Sequence, residues 1–189
     1  MEYKMKIPSR GYTNRERTVV EILKQVEDIK SFINFGFHNW EDNRRHWWID
    51  ICKVNDIDWK IVEIFEQNVI NAVNAGCPEN KIKIGNILET DSYENSDCIL
   101  FWHGPEHIER ETFLENIKRI ESKATKIIIF GMPYGEEAQG PVYGNKYEEH
   151  ISAWYEEDFE KMGYQCIILH DGKGSGGAGH MTVYKVLGE

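Results

Sequence analysis

The chain has 189 residues, enough for one full-sized core, and its 41% hydrophobic and 12% aromatic content excludes a disordered polypeptide. A formal net charge of −10 with no basic stripe argues against nucleic acid as a partner and for a small molecule, a sugar or a nucleotide. Four separated cysteines (Cys52, Cys77, Cys98 and Cys166) form no C-x-x-C pair, and no apolar run has membrane-spanning length or the form of a signal peptide, so we expect a cytoplasmic protein with reduced thiols and no membrane partner.

Residues 1–13 are polar and aromatic, include Pro8 and Gly11, and read as a flexible arm able to cover a ligand. Asn14 is placed to cap a helix running to about residue 28, with Val19, Val20, Ile22, Leu23 and Val26 on its buried side. Residues 31–35 predict the first strand. Residues 41–53 predict a helix whose Trp47, Trp48 and Ile51 serve as core or dimer contacts. A second strand is expected over 59–64, a helix over 67–75 closed by Gly76, and a short third strand over 81–87. Residues 97–102 form a continuous apolar run, as in a buried parallel strand. Pro105 suits the opening turn of a helix over 105–122, with Ile108, Phe113, Leu114, Ile117 and Ile120 facing inward. The most hydrophobic strand is expected over 126–130, followed by a long loop over 131–151, a length that usually signals function. A helix over 156–162 ends at Gly163. Two last strands, 164–169 and 180–186, are joined by a glycine-rich hairpin connection. Strands alternating with helices, then two strands with no helix between, predict an α/β sheet with an antiparallel hairpin at one edge and no domain linker.

Two strand ends carry the first functional signal. Phe32-Ile33-Asn34-Phe35 stops at Gly36, where the backbone can approach a ligand closely, and Trp59-Lys60-Ile61-Val62 stops at Glu63. A carboxylate on that edge of a parallel sheet can accept both hydroxyls of a ribose, which points to an adenosine-containing ligand.

The order of elements over residues 15–187 resembles the class I S-adenosylmethionine-dependent methyltransferases. Residues 32–40 stand where that family has its glycine-rich first motif; only Gly36 survives, with Asn34 in place of an acid and His38 and Trp40 in place of glycines. Glu63 stands at the ribose-binding acid, and Gly85-Asn86-Ile87 resembles the adenine-contacting segment. Residues 96–108 resemble strand four and the Glu-His start of the next helix. Met132-Pro133-Tyr134-Gly135 and residues 144–154 resemble the loop after strand five in small-molecule and glycan methyltransferases. The resemblance implies a Rossmann-like doubly wound seven-stranded sheet, mostly parallel with an antiparallel C-terminal strand, in a single domain over 1–189. It implies S-adenosyl-L-methionine as cofactor, held by Asn34, Gly36, His38, Glu63, Ile64, Asn86, Ile87 and Trp102.

Methyl transfer from a sulfonium is an in-line displacement, so much of the rate can come from positioning. An aromatic face such as Trp102 suits the cationic donor. An oxygen or ammonium acceptor must also lose a proton, and His103, Glu106 and His107 follow strand four, with His150 in the long loop, as the expected catalytic groups and His103 as base. His103 and His107 have the i, i+4 spacing of a metal pair, with His150 as a third donor. Gly104-Pro105 between them places His103 ahead of the helix, however, so no metal is expected. The function expected is methyl transfer to a small-molecule acceptor, a sugar or metabolite, with a homodimer as one way to complete the acceptor pocket. The alternative is a non-catalytic binding protein of the same fold, supported by the altered glycine motif.

Overall fold

The computed structural model describes residues 5–37, 40–41, 46–142, 144–170 and 179–188. His38 and most of the glycine-rich connection before Gly179 lie outside the described residues. Seven strands form one sheet: β1 Ser31–Phe35, β2 Asp58–Glu63, β3 Ile82–Ile84, β4 Ser96–Trp102, β5 Ala124–Pro133, β6 Gln165–Leu169 and β7 His180–Val186. Their order is β3-β2-β1-β4-β5-β7-β6, and β7 runs antiparallel to both its neighbours. The helices are α1 Asn14–Leu23, α2 Trp47–Val54, α3 Glu66–Asn74, α4 Arg110–Glu121 and α5 Glu157–Glu160.

Alternation along the strands builds two apolar layers. Phe32 of β1, Cys98 and Leu100 of β4, and Ile127 and Ile129 of β5 face the side covered by α1, α2 and α3. Ile33 and Phe35, Ile99 and Phe101, and Ile128 and Phe130 face the side covered by α4 and α5. Chain order reverses between β1 and β4, which are hydrogen-bonded neighbours. In such a sheet the crevice beyond the strand ends at that point is where ligands bind. Among the described residues, no helix is long and apolar enough to cross a membrane.

Several element boundaries differ from expectation for local reasons. Thr13, not Asn14, caps α1: its Oγ1 accepts from Glu16 N at 3.2 Å, and Glu16 Oε2 accepts from Thr13 N at 2.7 Å. That helix stops at Leu23, well short of residue 28, and Asp28 is left-handed at φ 55°. Residues 5–13, expected as a flexible arm, lie against α2. Met5 is buried, Lys6 exchanges hydrogen bonds with Asn55 just past α2, and Arg10 pairs with Asp50 at 2.7 Å. The helix expected from Pro105 begins only at Arg110. Pro105–His107 is instead a separate 3-10 turn, and Ile108 after it is extended.

Candidate functional site

A cavity of about 1080 Å³ opens at the carboxyl ends of β1, β2 and β4. Eleven of the twelve residues expected at the site line it: Asn34, Gly36, Glu63, Ile64, Asn86, Ile87, Trp102, His103, Glu106, His107 and His150. The twelfth, His38, is outside the described residues.

The β1 and β2 ends are wired together. Gly36 has φ +81°, a conformation that favours glycine, and its N–H donates to Val62 O at 3.0 Å. The chain then turns so that Phe37 N donates to Glu63 Oε2 at 2.5 Å, while Phe65 N donates to Glu63 Oε1 at 2.7 Å. Asn68 Nδ2 closes the clamp on Phe37 O at 2.8 Å. Glu63 is only 3% exposed. Burial pushes its carboxyl up to about 7, against the lowering effect of the two backbone donors, and Glu148 adds a smaller upward push. The Asn68 side chain also donates to this carboxyl, and the acceptor capacity that remains suits a ligand hydroxyl. Asn34 donates through Nδ2 to Gly36 O at 2.7 Å, but its buried Oδ1 has no hydrogen-bond partner among the described residues. That orphaned acceptor lies beside the left-handed glycine, where a ligand N–H or O–H would satisfy it.

Trp40, in a position the resemblance assigns to glycine, is absorbed by packing. Its ring stacks on His46 (4.9 Å between centroids) and on Trp59 (6.2 Å), and His46 also stacks on Phe37 (5.1 Å). An aromatic cluster thus backs the loop that glycines would otherwise form.

The β4 end builds the opposite wall. His103 is left-handed at φ 51°, uncommon for a residue with a Cβ, and its N–H donates to Gly131 O at 2.7 Å. Trp102 packs its ring over Gly131, where an added Cβ would meet the indole at 2.2 Å, and against His180 at 4.6 Å between centroids. Gly104 has no room for a side chain either, since a Cβ would sit 1.9 Å from the Phe101 ring. Chain reversal at His103 and Gly104 delivers Glu106 and His107 into the cavity on the 3-10 turn. His103 Nδ1 lies 3.4 Å from Glu106 Oε1, and His107 Nε2 lies 4.0 Å from the same oxygen.

The loop after β5 is stitched onto that turn. Ile151 N and Ser152 N both donate to Glu106 O, at 2.9 and 3.2 Å, and Ser152 Oγ donates to Pro105 O at 3.1 Å. Trp154, fully buried between Phe113 and Phe159, anchors the far end of the loop, and its carbonyl accepts from Gly135 N at 2.9 Å. His150 thereby reaches the cavity.

Sequence reasoning missed Arg15 and Glu16 from α1, His46 before α2, and Asn145 and Tyr147 from the long loop. Only Asn145 had a local signal: its Oδ1 accepts from Tyr147 N at 3.0 Å, an Asx turn of the kind Asn favours. The wall is acidic, with Glu16, Glu63, Glu106, Glu109, Glu137 and Glu148 against Arg15, so it favours cationic occupants.

No family profile matches the sequence, and no curated protein matches it. Solved structures do. A S-adenosylmethionine-dependent methyltransferase from Clostridium acetobutylicum superposes with TM-score 0.64 at 12% identity, covering 96% of this chain and 94% of that one. One from Archaeoglobus fulgidus gives 0.60 at 13%, covering 90% and 91%. PigF, solved with SAH, gives 0.54 at 15%, covering 85% of this chain and 51% of that one. The fold is that of the class I S-adenosylmethionine-dependent methyltransferases, with the inserted antiparallel strand the sequence resemblance implies.

Proposed function

We propose that this protein transfers a methyl group from S-adenosyl-L-methionine to a small-molecule acceptor, a sugar or metabolite. The observation that carries the reading is the Gly36–Phe37–Glu63 clamp at the sheet's point of reversal, with an orphaned Asn34 acceptor beside it. Buried backbone donors hold the Glu63 carboxylate in place, and its remaining acceptor sites suit a ribose diol. Asn34 Oδ1 suits the ammonium of the methionine part, and Asn86 and Ile87 suit the adenine. When bound, the cofactor supplies an electrophilic methyl on a positively charged sulfur. The acidic wall and the Trp102 face attract that charge. His103, beside Glu106, is placed to take the proton an acceptor loses.

The cavity supports a compact acceptor. Its far wall is supplied by the loop that carries His150 and by α1. A homodimer that closes the mouth fits the same reading, and neither nucleic acid nor membrane is part of it.

Calorimetry with S-adenosylhomocysteine tests the proposal. Wild-type protein should bind one equivalent, and Glu63→Ala should weaken binding by about 1–3 kcal/mol through lost charged hydrogen bonds. No binding by the wild type would overturn the enzymatic reading and favour a non-catalytic protein of this fold. Unchanged affinity in the variant would remove Glu63 from the cofactor site.

A further inference from the structure

Glu106, His107 and His150 form a constellation that hydrogen bonding leaves incomplete. One ligand-capable atom from each lies within 4.8 Å of the other two. Glu106 is 1% exposed, and neither of its carboxylate oxygens has a hydrogen-bond partner among the described residues. A buried carboxylate in that condition is unfavourable unless a cation meets it. The groups beside it are imidazole nitrogens: His103 Nδ1 lies 3.4 Å from Glu106 Oε1, without a hydrogen bond, and His107 and His150 flank the same carboxylate. His107 Nδ1 lies 3.0 Å from Glu149 O, and His150 Nδ1 lies 2.7 Å from Glu137 O. A carbonyl oxygen only accepts, so both imidazoles carry a proton on Nδ1. In the neutral imidazole each Nε2 is then left with a bare lone pair. His107 Nε2 stands 4.0 Å from Glu106 Oε1, so with a neutral imidazole two acceptors face each other. The rings meet edge to face, with centroids 5.0 Å apart.

We propose that Glu106, His107 and His150 bind one divalent transition-metal ion in the cavity. Two neutral imidazoles and one carboxylate suit Mn²⁺, Fe²⁺, Co²⁺ or Zn²⁺, whereas Mg²⁺ prefers a set of oxygens. The carbonyls of Glu137 and Glu149 are the outer partners that fix each imidazole's tautomer and aim. The double donation from Ile151 and Ser152 to Glu106 O locks the two ligand-bearing segments together. An ion about 2.1 Å from each donor holds any two of them at most about 4.2 Å apart, so binding draws the three slightly inward. This assignment departs from the sequence-based expectation of no metal. That expectation weighed His103 and His107, with His150, and set the pair aside because Gly104-Pro105 puts His103 ahead of the helix, whereas the 3-10 turn brings Glu106 and His107 together instead.

Three protein ligands leave open positions on the cavity side, and that is a statement about the acceptor. Resting on the proposed methyl transfer, the acceptor binds through oxygen: a hydroxyl on the ion becomes more acidic, its proton passes to His103, and the oxygen attacks the methyl as the carbon–sulfur bond breaks and its electron pair stays on sulfur.

The test uses metal alone, without cofactor. Wild-type protein, stripped with chelator and dialysed, is titrated with Mn²⁺ followed by electron paramagnetic resonance, and with Co²⁺ followed by its visible absorption. One equivalent should bind, and excess Mg²⁺ should not displace it. His107→Ala and His150→Gln should each lower affinity by about tenfold or more, while Glu115→Gln, an exposed acid of α4 outside the cavity, should leave it unchanged. Absence of stoichiometric binding by the wild type overturns the proposal, a result that needs no variant to fold. Equal loss in the Glu115 variant also overturns it, because the binding would then be diffuse attraction to an acidic surface. Binding of S-adenosylhomocysteine is measured in parallel. Its retention without metal binding defeats the metal site alone, and metal binding without it defeats the methyl-transfer reading alone.

Discussion

Glu63 shows how one buried side chain ties stability to ligand binding. Its carboxyl is raised from 4.5 to about 7, so the folded protein holds this proton more tightly than the unfolded chain does. Its stabilising contribution is therefore complete below about pH 4.5 and is lost as pH rises through about 7. Glu63→Gln should flatten the stability-versus-pH curve between pH 5 and 8 by about 2–3 kcal/mol, read by urea denaturation across that range. An identical slope in both proteins would show that Glu63 ionises normally. A ribose diol donates hydrogen bonds, and so favours the ionised form; S-adenosylhomocysteine should bind more tightly above pH 7 and release a proton on binding below it. Gly104 is a second residue whose identity is dictated by its surroundings. A Cβ there overlaps the Phe101 ring, which is itself packed against Phe113, so Gly104→Ala should cost about 1–3 kcal/mol in thermal or urea unfolding. Wild-type stability would show that the ring can step aside.

At the scale of elements, the segment after β5 depends on one anchor. Trp154 is fully buried and meets Phe113 and Phe159 edge-on or tilted at 5.4 and 5.3 Å. Trp154→Ala should cost about 3–5 kcal/mol. It should also speed amide exchange at Ile151 and Ser152, whose N–H groups are held on Glu106 O. Trp154→Phe should cost less, because it keeps a ring in place and removes an indole N–H that has no partner among the described residues. Exchange at Ile151 that ignores both changes would mean the loop is held elsewhere. The strands themselves were legible beforehand: their alternation of apolar side chains directly encodes two covered faces. The boundary of α4 was not. Pro105 is compatible with a helix start, but the reversal at His103 and Gly104 spends three residues on a 3-10 turn before α4 begins at Arg110.

For the whole molecule, the two apolar layers predict the behaviour of the thiols. Cys52 and Cys98 lie fully buried, Cys77 nearly so, and Cys166 is half-buried. Burial drives the thiol of Cys77 up to about 11 and that of Cys166 up to about 12, and raises Cys52 and Cys98 as well. At pH 8 a disulfide reagent should modify Cys166 slowly and reach Cys52 and Cys98 only as the protein unfolds. Mass spectrometry after timed labelling would show this order. Fast modification of all four in the native state would contradict the packing.

What the sequence by itself determined is the layered sheet and the pairing of Gly36 with Glu63, because both are local: periodic burial sets the strands, and a strand's last residue sits at its edge. Tertiary structure alone decided which groups face one another across the cavity. His107 and Glu149 are 42 residues apart, and they meet because backbone hydrogen bonds carry the long loop back onto the turn after β4. Residue spacing holds no record of that path. It follows from satisfying buried donors and acceptors once the sheet has formed, so the grouping of Glu106, His107 and His150 emerges only in the folded chain.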